Sequence, residues 1–283
     1  MQAAGNDFIL VDAGKVNRDW SRMAVTMCDR HFGVGGDGLL VVSPSDKANL
    51  RMREFNLDGS EAEACGNGLR CMAKYAAYSG LVGAGTHQIL VETIAGIRQA
   101  KLDKTRGKVT RIQVSMGEPR FGVKDIPVMI EPSQGETVDI IPILDYPLTI
   151  DGTELLLNFV SMGNPHAVCF WQHPVADFPL SQLGPQIERH RLFPNRINFE
   201  IARVINRKQI EARVWERGVG ETMACGSGAC AVTVAAQLHG YIGNRVDIKL
   251  PGGIVNVEWD GIGEVLLSGS AEVVFTGEWS GEA

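Results

Sequence analysis

Ala64-Cys65-Gly66-Asn67-Gly68 and Ala224-Cys225-Gly226-Ser227-Gly228 are one five-residue device written twice, with the cysteines 160 residues apart. The likeness runs well past the device. A helix-like apolar run follows each cysteine and stops at a glycine, Gly80 and Gly240, again 160 apart. Glu61 and Glu221 each stand four residues before their cysteine. Gly5-Asn6-Asp7-Phe8 lies 158 residues before Gly163-Asn164-Pro165-His166, and Asp37 lies 161 before Asn198. Offsets this constant mean a duplicated half. The fold class read from them is α/β (α+β): two pseudo-symmetric halves, each a mostly antiparallel sheet or barrel wrapped around a central helix.

The local patterns fill in each half. Phe8 to Val11 and Gly38 to Val42 read as strands, and Leu50 to Phe55 alternates with period two. Trp20 to His31 reads as a first helix, and Gln88 to Val114 as a run of strands with charged turns. Leu69, Met72, Ala73, Ala76 and Ala77 give the helix after Cys65 one apolar face, whereas the run from Ala229 to Ala236 is apolar almost all round. A helix of the second kind is buried. Pro127, Pro132 and Gly135 mark Val123 to Glu136 as a linker or surface loop, with strands resuming at Ile140 and a further helix near Leu183 to His190.

Composition narrows the function. The chain has 283 residues, 45% hydrophobic and 21% charged, with a net charge of −6. That balance offers no basic footprint for nucleic acid or an anionic membrane, and no apolar run reaches the ~18 residues of a spanning helix. The N-terminus does not read as a signal peptide, so six cysteines read as cytoplasmic thiols and not as a disulfide scaffold. Zinc is not expected. Cys65 and Cys71 are six apart, Cys225 and Cys230 five apart, and on a helix those spacings point to different faces. Gly33-Val34-Gly35-Gly36-Asp37-Gly38 precedes a strand and not a helix, the reverse of a dinucleotide-binding loop.

Cys28, Cys71, Cys169 and Cys230 sit in apolar stretches and read as small core residues. Cys65 and Cys225 differ, because each opens a helix and is followed by Gly-x-Gly. A helix N-terminus favours anions and lowers a thiol pKa, and its free N–H groups can take a carboxylate. Two such thiols, one per half, suit proton transfer at a carbon: a thiolate takes a proton from one face while a thiol returns one to the other. The resting enzyme would then carry one thiolate and one thiol. Two thiols bracketing one carbon should also join as a Cys65–Cys225 disulfide under oxidation. Asn6, Asn56, Asn164 and Asn198 sit at strand ends or turns at comparable places in the two halves, and Arg217 offers a fork for a carboxylate. His166 and Glu216 can orient or polarise a thiol.

Gly5-Asn6-Asp7-Phe8, Phe55-Asn56-x-Asp58-Gly59-Ser60, Met162-Gly163-Asn164-Pro165-His166, Glu216-Arg217-Gly218 and the two cysteine motifs together resemble the diaminopimelate epimerase family over nearly the whole chain. The resemblance implies a cofactor-independent isomerase that interconverts LL- and meso-2,6-diaminopimelate for lysine and peptidoglycan-precursor synthesis in the cytoplasm. It implies that Cys65 and Cys225 are the acid–base thiols, assisted by His166 and Glu216. Gly66, Asn67, Gly226 and Ser227 would hold the reacting carboxylate. Asn6, Asn56, Asn164, Asn198 and Arg217 would bind substrate, chiefly its distal amino-acid end, and Glu216 its reacting amino group. It further implies half-domains 1–117 plus 271–283 and 118–270 with the active site in the cleft between them, and a homodimer.

The family's C-terminal strand, here Ala271 to Thr276 with Phe275, lies near the dimer contact. Two departures from the family stand out. The chain starts four residues ahead of Gly5-Asn6-Asp7-Phe8, where relatives carry a further short strand, so a start later than the native one is expected. Gly38 stands where some relatives have a glutamine. The competing readings are a proline or hydroxyproline racemase, whose substrate gives the Asn/Arg cluster no partner, and a non-catalytic amino-acid-binding module. A redox protein would show a local C-x-x-C, which this chain lacks.

Overall fold

The computed structural model describes residues 1–62, 65–130 and 142–280. It divides the chain into two compact units, Met1–Ser115 with Ser268–Ala283, and Met116–Leu267. Both units are mixed α/β, mostly sheet, as the duplicated pattern requires.

In the first unit the strands are Gln2–Ala3, Asn6–Asp12, Gly38–Ser43, Leu50–Phe55, Glu61–Ala62, Gln88–Thr93, Gly96–Thr105 and Lys108–Ser115. Two ladders are parallel, with Phe8 opposite Gly38 and Leu50 opposite Val91. The other ladders among these strands are antiparallel. Helix α1 (Trp20–Cys28) covers one face of the sheet through Trp20, Met23, Ala24 and Met27, which pack with Leu39, Val41 and Phe55. Helix α2 (Gly66–Tyr78) is the central helix, buried from Gly66 through Ala73.

The second unit repeats the plan. Pro165–Phe170 runs parallel to Asn198–Asn206, with His166 opposite Asn198, and Gln209–Glu216 runs parallel to Arg245–Leu250. Helix α3 (Leu180–Glu188) covers one face through Leu183 and Ile187. Helix α4 (Gly226–Leu238) is the central one, and Gly228 through Ala236 are all buried. α2 and α4 each have 13 residues and start 160 positions apart. Each passes through a right-handed cap residue, Ser79 or His239, into a glycine of positive φ, Gly80 at 77° and Gly240 at 72°. That is the ordinary way to end a helix and free the chain to turn.

The hairpin ahead of each cysteine is fixed by the same ion pair. Arg53 Nε and Nη2 donate to Glu61 Oε1 and Oε2, both at 2.7 Å. Arg213 Nε and Nη2 donate to Glu221 at 2.8 and 3.1 Å. Both members are displaced by 160 residues, so the duplicated glutamates are hairpin clamps that set where each cysteine emerges.

Several sequence expectations need correction. α1 stops at Cys28 and not at His31, because the glycine-rich loop folds back: Gly33, Val34, Gly35 and Gly36 donate to the carbonyls of Asp29, Met27, Met27 and Cys28. α3 starts at Leu180 and ends at Glu188, since Gln182 and Leu183 N–H groups both close on Pro179 O. Asn198 faces His166 as Gly38 faces Phe8, so Gly38 and not Asp37 is its counterpart. Ala271 to Thr276 is not a strand. Only Glu272 bridges Gln2, because the edge offered by Gln2–Ala3 is two residues long and then turns at Ala4 and Gly5. Of the linker expected at 123–136, residues 123–130 carry turn and irregular structure; the remainder, and the strand start at Ile140, lie outside the described residues.

Arg53 holds the Glu61 carboxyl below its ordinary range, against the opposing effect of burial. A carboxyl with a depressed folded pKa adds stability above its unfolded value of ~4.3 and loses it as pH falls through the folded value. Glu61→Gln should therefore cost about 1 kcal/mol near neutrality. Thermal unfolding from pH 3 to pH 7 should show the wild-type advantage shrinking toward the acid end; a constant gap would contradict the ion-pair origin.

Candidate active site

Cys65 and Cys225 are the N-cap residues of α2 and α4. Gly68 N–H donates to Cys65 Sγ at 3.1 Å, and Gly228 N–H donates to Cys225 Sγ at 3.3 Å. The thiol sulfur thus takes the place that a serine or aspartate oxygen usually fills at a cap. Both glycines are forced by packing. A Cβ at Gly68 would lie 2.8 Å from Glu54 Oε2 and 3.4 Å from Cys65 Sγ; one at Gly228 would lie 2.8 Å from Glu200 Oε1 and 3.4 Å from Cys225 Cβ.

Around Cys65, Asn67 Nδ2 donates to Asn6 Oδ1 at 3.1 Å, and Asn6 Nδ2 donates to Asp37 Oδ2 at 2.8 Å. Arg70, fully buried, donates to Asn67 Oδ1 at 2.8 Å and fixes that amide from below. Asn6, Asn67 and Gly66 are therefore grouped at the mouth of α2. Asn56 is not part of that group: it is exposed, and its amide donates to Ser60 Oγ at 2.9 Å within its own turn.

Around Cys225, Ser227 Oγ lies 3.4 Å from Sγ and accepts from Asn164 Nδ2 at 3.3 Å. His166 is buried between Asn164 Oδ1, 3.0 Å from Nε2, and Glu200 Oε1, 2.7 Å from Nδ1. Glu216 accepts from Thr222 Oγ1 at 2.5 Å and interacts with the Cys225 thiol. Asn198 donates to Pro165 O at 2.8 Å and accepts from Arg217 N at 2.9 Å, so it sets the turn from which Arg217 projects. Arg217 itself is exposed; Nη1 donates to Asn195 O at 3.2 Å, and its guanidinium meets no carboxylate among the described residues.

The electrostatics correct one expectation. The helix ends were expected to lower both thiol pKa values, and the N–H groups of Gly68 and Gly228 do pull that way. Burial outweighs them, followed by carboxylate charge: Glu54 beside Cys65, Glu216 and Glu200 beside Cys225. Both thiols end well above the ordinary range. Glu216 is itself pushed up by burial. Cys28, Cys71, Cys169 and Cys230 are buried; burial pushes Cys28 and Cys169 to about 11 and Cys71 to about 12.

Glu54 and Glu200 had no place in the sequence reading, although a signal existed. Leu50, Met52 and Glu54 share the buried phase of one strand, and Glu200 stands between Phe199 and Ile201 in a buried run. An acid on an apolar phase marks a buried polar partner. Among the described residues, no group of His, Cys, Asp and Glu is arranged to hold a metal ion, and no helix is long and apolar enough to cross a membrane.

Solved structures place this architecture among PhzF-type and racemase-type proteins. A Bacillus anthracis phenazine biosynthesis protein of the PhzF family superposes with a TM-score of 0.67 at 18% identity, covering 95% of this chain and 92% of that one. A hydroxyproline epimerase from Agrobacterium vitis gives 0.66 at 14% identity, covering 95% and 87%. At that identity the likeness is one of fold. Sequence goes further. The family profile described as Diaminopimelate epimerase matches residues 1–122 and 158–274. The diaminopimelate epimerase of Pelotomaculum thermopropionicum is 48% identical over 278 residues, 97% of this chain and 95% of the relative. That of Methanococcus maripaludis is 41% identical over 280 residues, 98% and 97%. The chain belongs to the diaminopimelate epimerase family.

Gly228→Ala should destabilise by about 1–3 kcal/mol, the usual effect of forcing a methyl into a packed interior, since Glu200 is fully buried and held by His166. Denaturant unfolding measures it. A variant as stable as wild type would mean that the carboxylate beneath α4 is free to move aside.

Proposed function

We propose that this protein interconverts LL- and meso-2,6-diaminopimelate without a cofactor, with Cys65 serving one face of the Cα and Cys225 the other. The observation that carries the reading is the pair of cysteine N-caps on two equivalent helices, in a chain whose relatives at 41–48% identity are diaminopimelate epimerases. In each turnover one thiolate takes the Cα proton and the opposite thiol gives its own to the other face. Charge moves onto the substrate's reacting carboxylate as the proton leaves. N–H groups of Gly66, Asn67, Gly226 and Ser227 at the helix ends are the donors that would stabilise it.

Because burial raises both thiols, a thiolate forms only if a nearby base takes its proton. Glu216 fits that task for Cys225, as a half-buried carboxyl with a raised proton affinity that interacts with the thiol. His166, clamped by Glu200, holds Asn164 toward Ser227. Glu216 also offers a carboxyl oxygen that accepts a hydrogen bond from the substrate's reacting ammonium, whether or not it holds the thiol's proton. The distal amino-acid end falls to Asn6, Asn56, Asn164, Asn198 and Arg217, with Arg217 forking the distal carboxylate.

The working assembly in this reading is a cytoplasmic homodimer. Val274 and Phe275 are 63% and 64% exposed on an irregular segment, an apolar surface that a second copy would cover.

Three outcomes are expected. Cys65→Ala and Cys225→Ala should each abolish epimerisation while leaving the circular dichroism spectrum intact, because neither thiol can serve both faces; near-normal turnover in either variant would overturn the two-thiol reaction. Arg217→Ala should lower kcat/KM several hundred-fold, following the ~3–5 kcal/mol lost when one partner of a desolvated charge pair is removed, with Arg217→Lys recovering only part. Unchanged diaminopimelate kinetics, or equal turnover of lysine by the wild type, would remove Arg217 from recognition. Light scattering should give twice the 30.7 kDa chain mass, shifting toward monomer in Phe275→Asp; a monodisperse wild-type monomer at micromolar concentration would rule out the dimer.

A further inference from the structure

Glu216 and Glu200 are the carboxylates that bear on Cys225, and neither belongs to the first unit. Glu54 occupies that role there. It is buried on the strand Leu50–Phe55, and its Oε2 accepts from Cys65 N at 3.1 Å. A Cβ at Gly68 would meet both that oxygen, at 2.8 Å, and Cys65 Sγ, at 3.4 Å, so thiol and carboxylate converge on one point.

The second unit shows that this is a built feature. Glu54 is paired across its ladder with Leu40, and both face Gly68. Val214 and Glu200 form the equivalent cross-strand pair, and both face Gly228. Each central helix therefore sits on one carboxylate and one aliphatic side chain, with the two exchanged between the strands. Duplication has kept the charge while changing the strand that supplies it.

We propose that Glu54 is the proton-holding partner of Cys65, sharing a single proton between Cys65 Sγ and its own carboxylate. Transfer breaks the S–H bond, leaves the electron pair on sulfur and forms an O–H bond on Glu54; return reverses it, and no other reactant takes part. This deepens the epimerase reading and rests on Cys65 being one of its reacting thiols. Glu54 acts through Cys65 and is a positioning residue. The other titratable groups near this helix end are Cys71 and Arg70 on α2 and the chain's amino group, which donates to Phe8 O at 2.8 Å. Arg70 and the amino group bear on Cys71, whereas Glu54 bears on Cys65 directly.

The test is the pH dependence of iodoacetamide alkylation at each cysteine of the substrate-free protein, read by peptide mass spectrometry. It needs no turnover, so it stands apart from the success or failure of the epimerase assignment. Wild-type Cys65 should alkylate with a midpoint above the ordinary thiol value of ~8.5. In Glu54→Gln the amide oxygen still accepts from Cys65 N, but the charge is gone. The Cys65 midpoint should fall by about one unit or more, speeding its alkylation at pH 7 roughly tenfold, while that of Cys225 stays put. Glu54→Asp should remain close to wild type. A Cys65 midpoint unmoved in folded Glu54→Gln would overturn the proposal. Should that variant not fold, a wild-type Cys65 midpoint at or below the ordinary thiol value would overturn it equally.

Discussion

A sulfur atom capping a helix is the contact on which both sites depend. Gly68 and Gly228 N–H groups point at Cys65 and Cys225 Sγ, and the cap fixes sulfur, first-turn N–H groups and helix axis together. The requirement propagates outward. Glycine is needed three residues on, because the strand beneath carries a carboxylate within 2.8 Å of where a Cβ would stand. An Arg–Glu clamp is needed ahead, because the cysteine must emerge from its hairpin at the right place. A buried helix is needed behind, since a loop holds a cap less firmly than a rigid element does.

The cap alone does not make a base. Helix-end N–H groups favour a thiolate, yet burial and neighbouring carboxylates oppose it more strongly at both cysteines. A site that favoured two thiolates would have no acid to offer, and one without acceptors would have no base. In the proposed reaction, the carboxylates beside each thiol meet both needs by taking and returning its proton. In the second unit the device is elaborated with His166, Asn164 and Ser227 in one chain of hydrogen bonds. In the first it is Glu54 set directly against the thiol, with the amides of Asn6 and Asn67 gathered above Arg70.

Much of this was legible in the sequence. The 160-residue offset fixes both cysteines, both central helices and both clamp glutamates, because a duplicated chain keeps the spacing of whatever its packing cannot spare. What stayed hidden depended on register. Glu61 and Glu221 were visible as landmarks but not as clamps, since their arginine partners lie across a hairpin. Glu54 and Glu200 break no spacing rule and do not align with each other, so only the ladder reveals them as equivalents. The strand expected at Ala271 to Thr276 failed for a similar reason: its composition suits a strand, but the edge it meets among the described residues, Gln2–Ala3, is two residues long.

The central claim is that two separate groups handle the proton on the two faces of one carbon. Solvent isotope distribution early in the reaction tests it most directly. LL-diaminopimelate is incubated with the enzyme in D₂O, and substrate and product are recovered within the first few percent of conversion. The account predicts deuterium at the inverted Cα of the product and none in the remaining substrate, because the thiol that removes a proton is not the one that delivers deuterium. Deuterium entering both pools at equal rates, or product that keeps the original hydrogen, would mean that a single base serves both faces and would contradict the account.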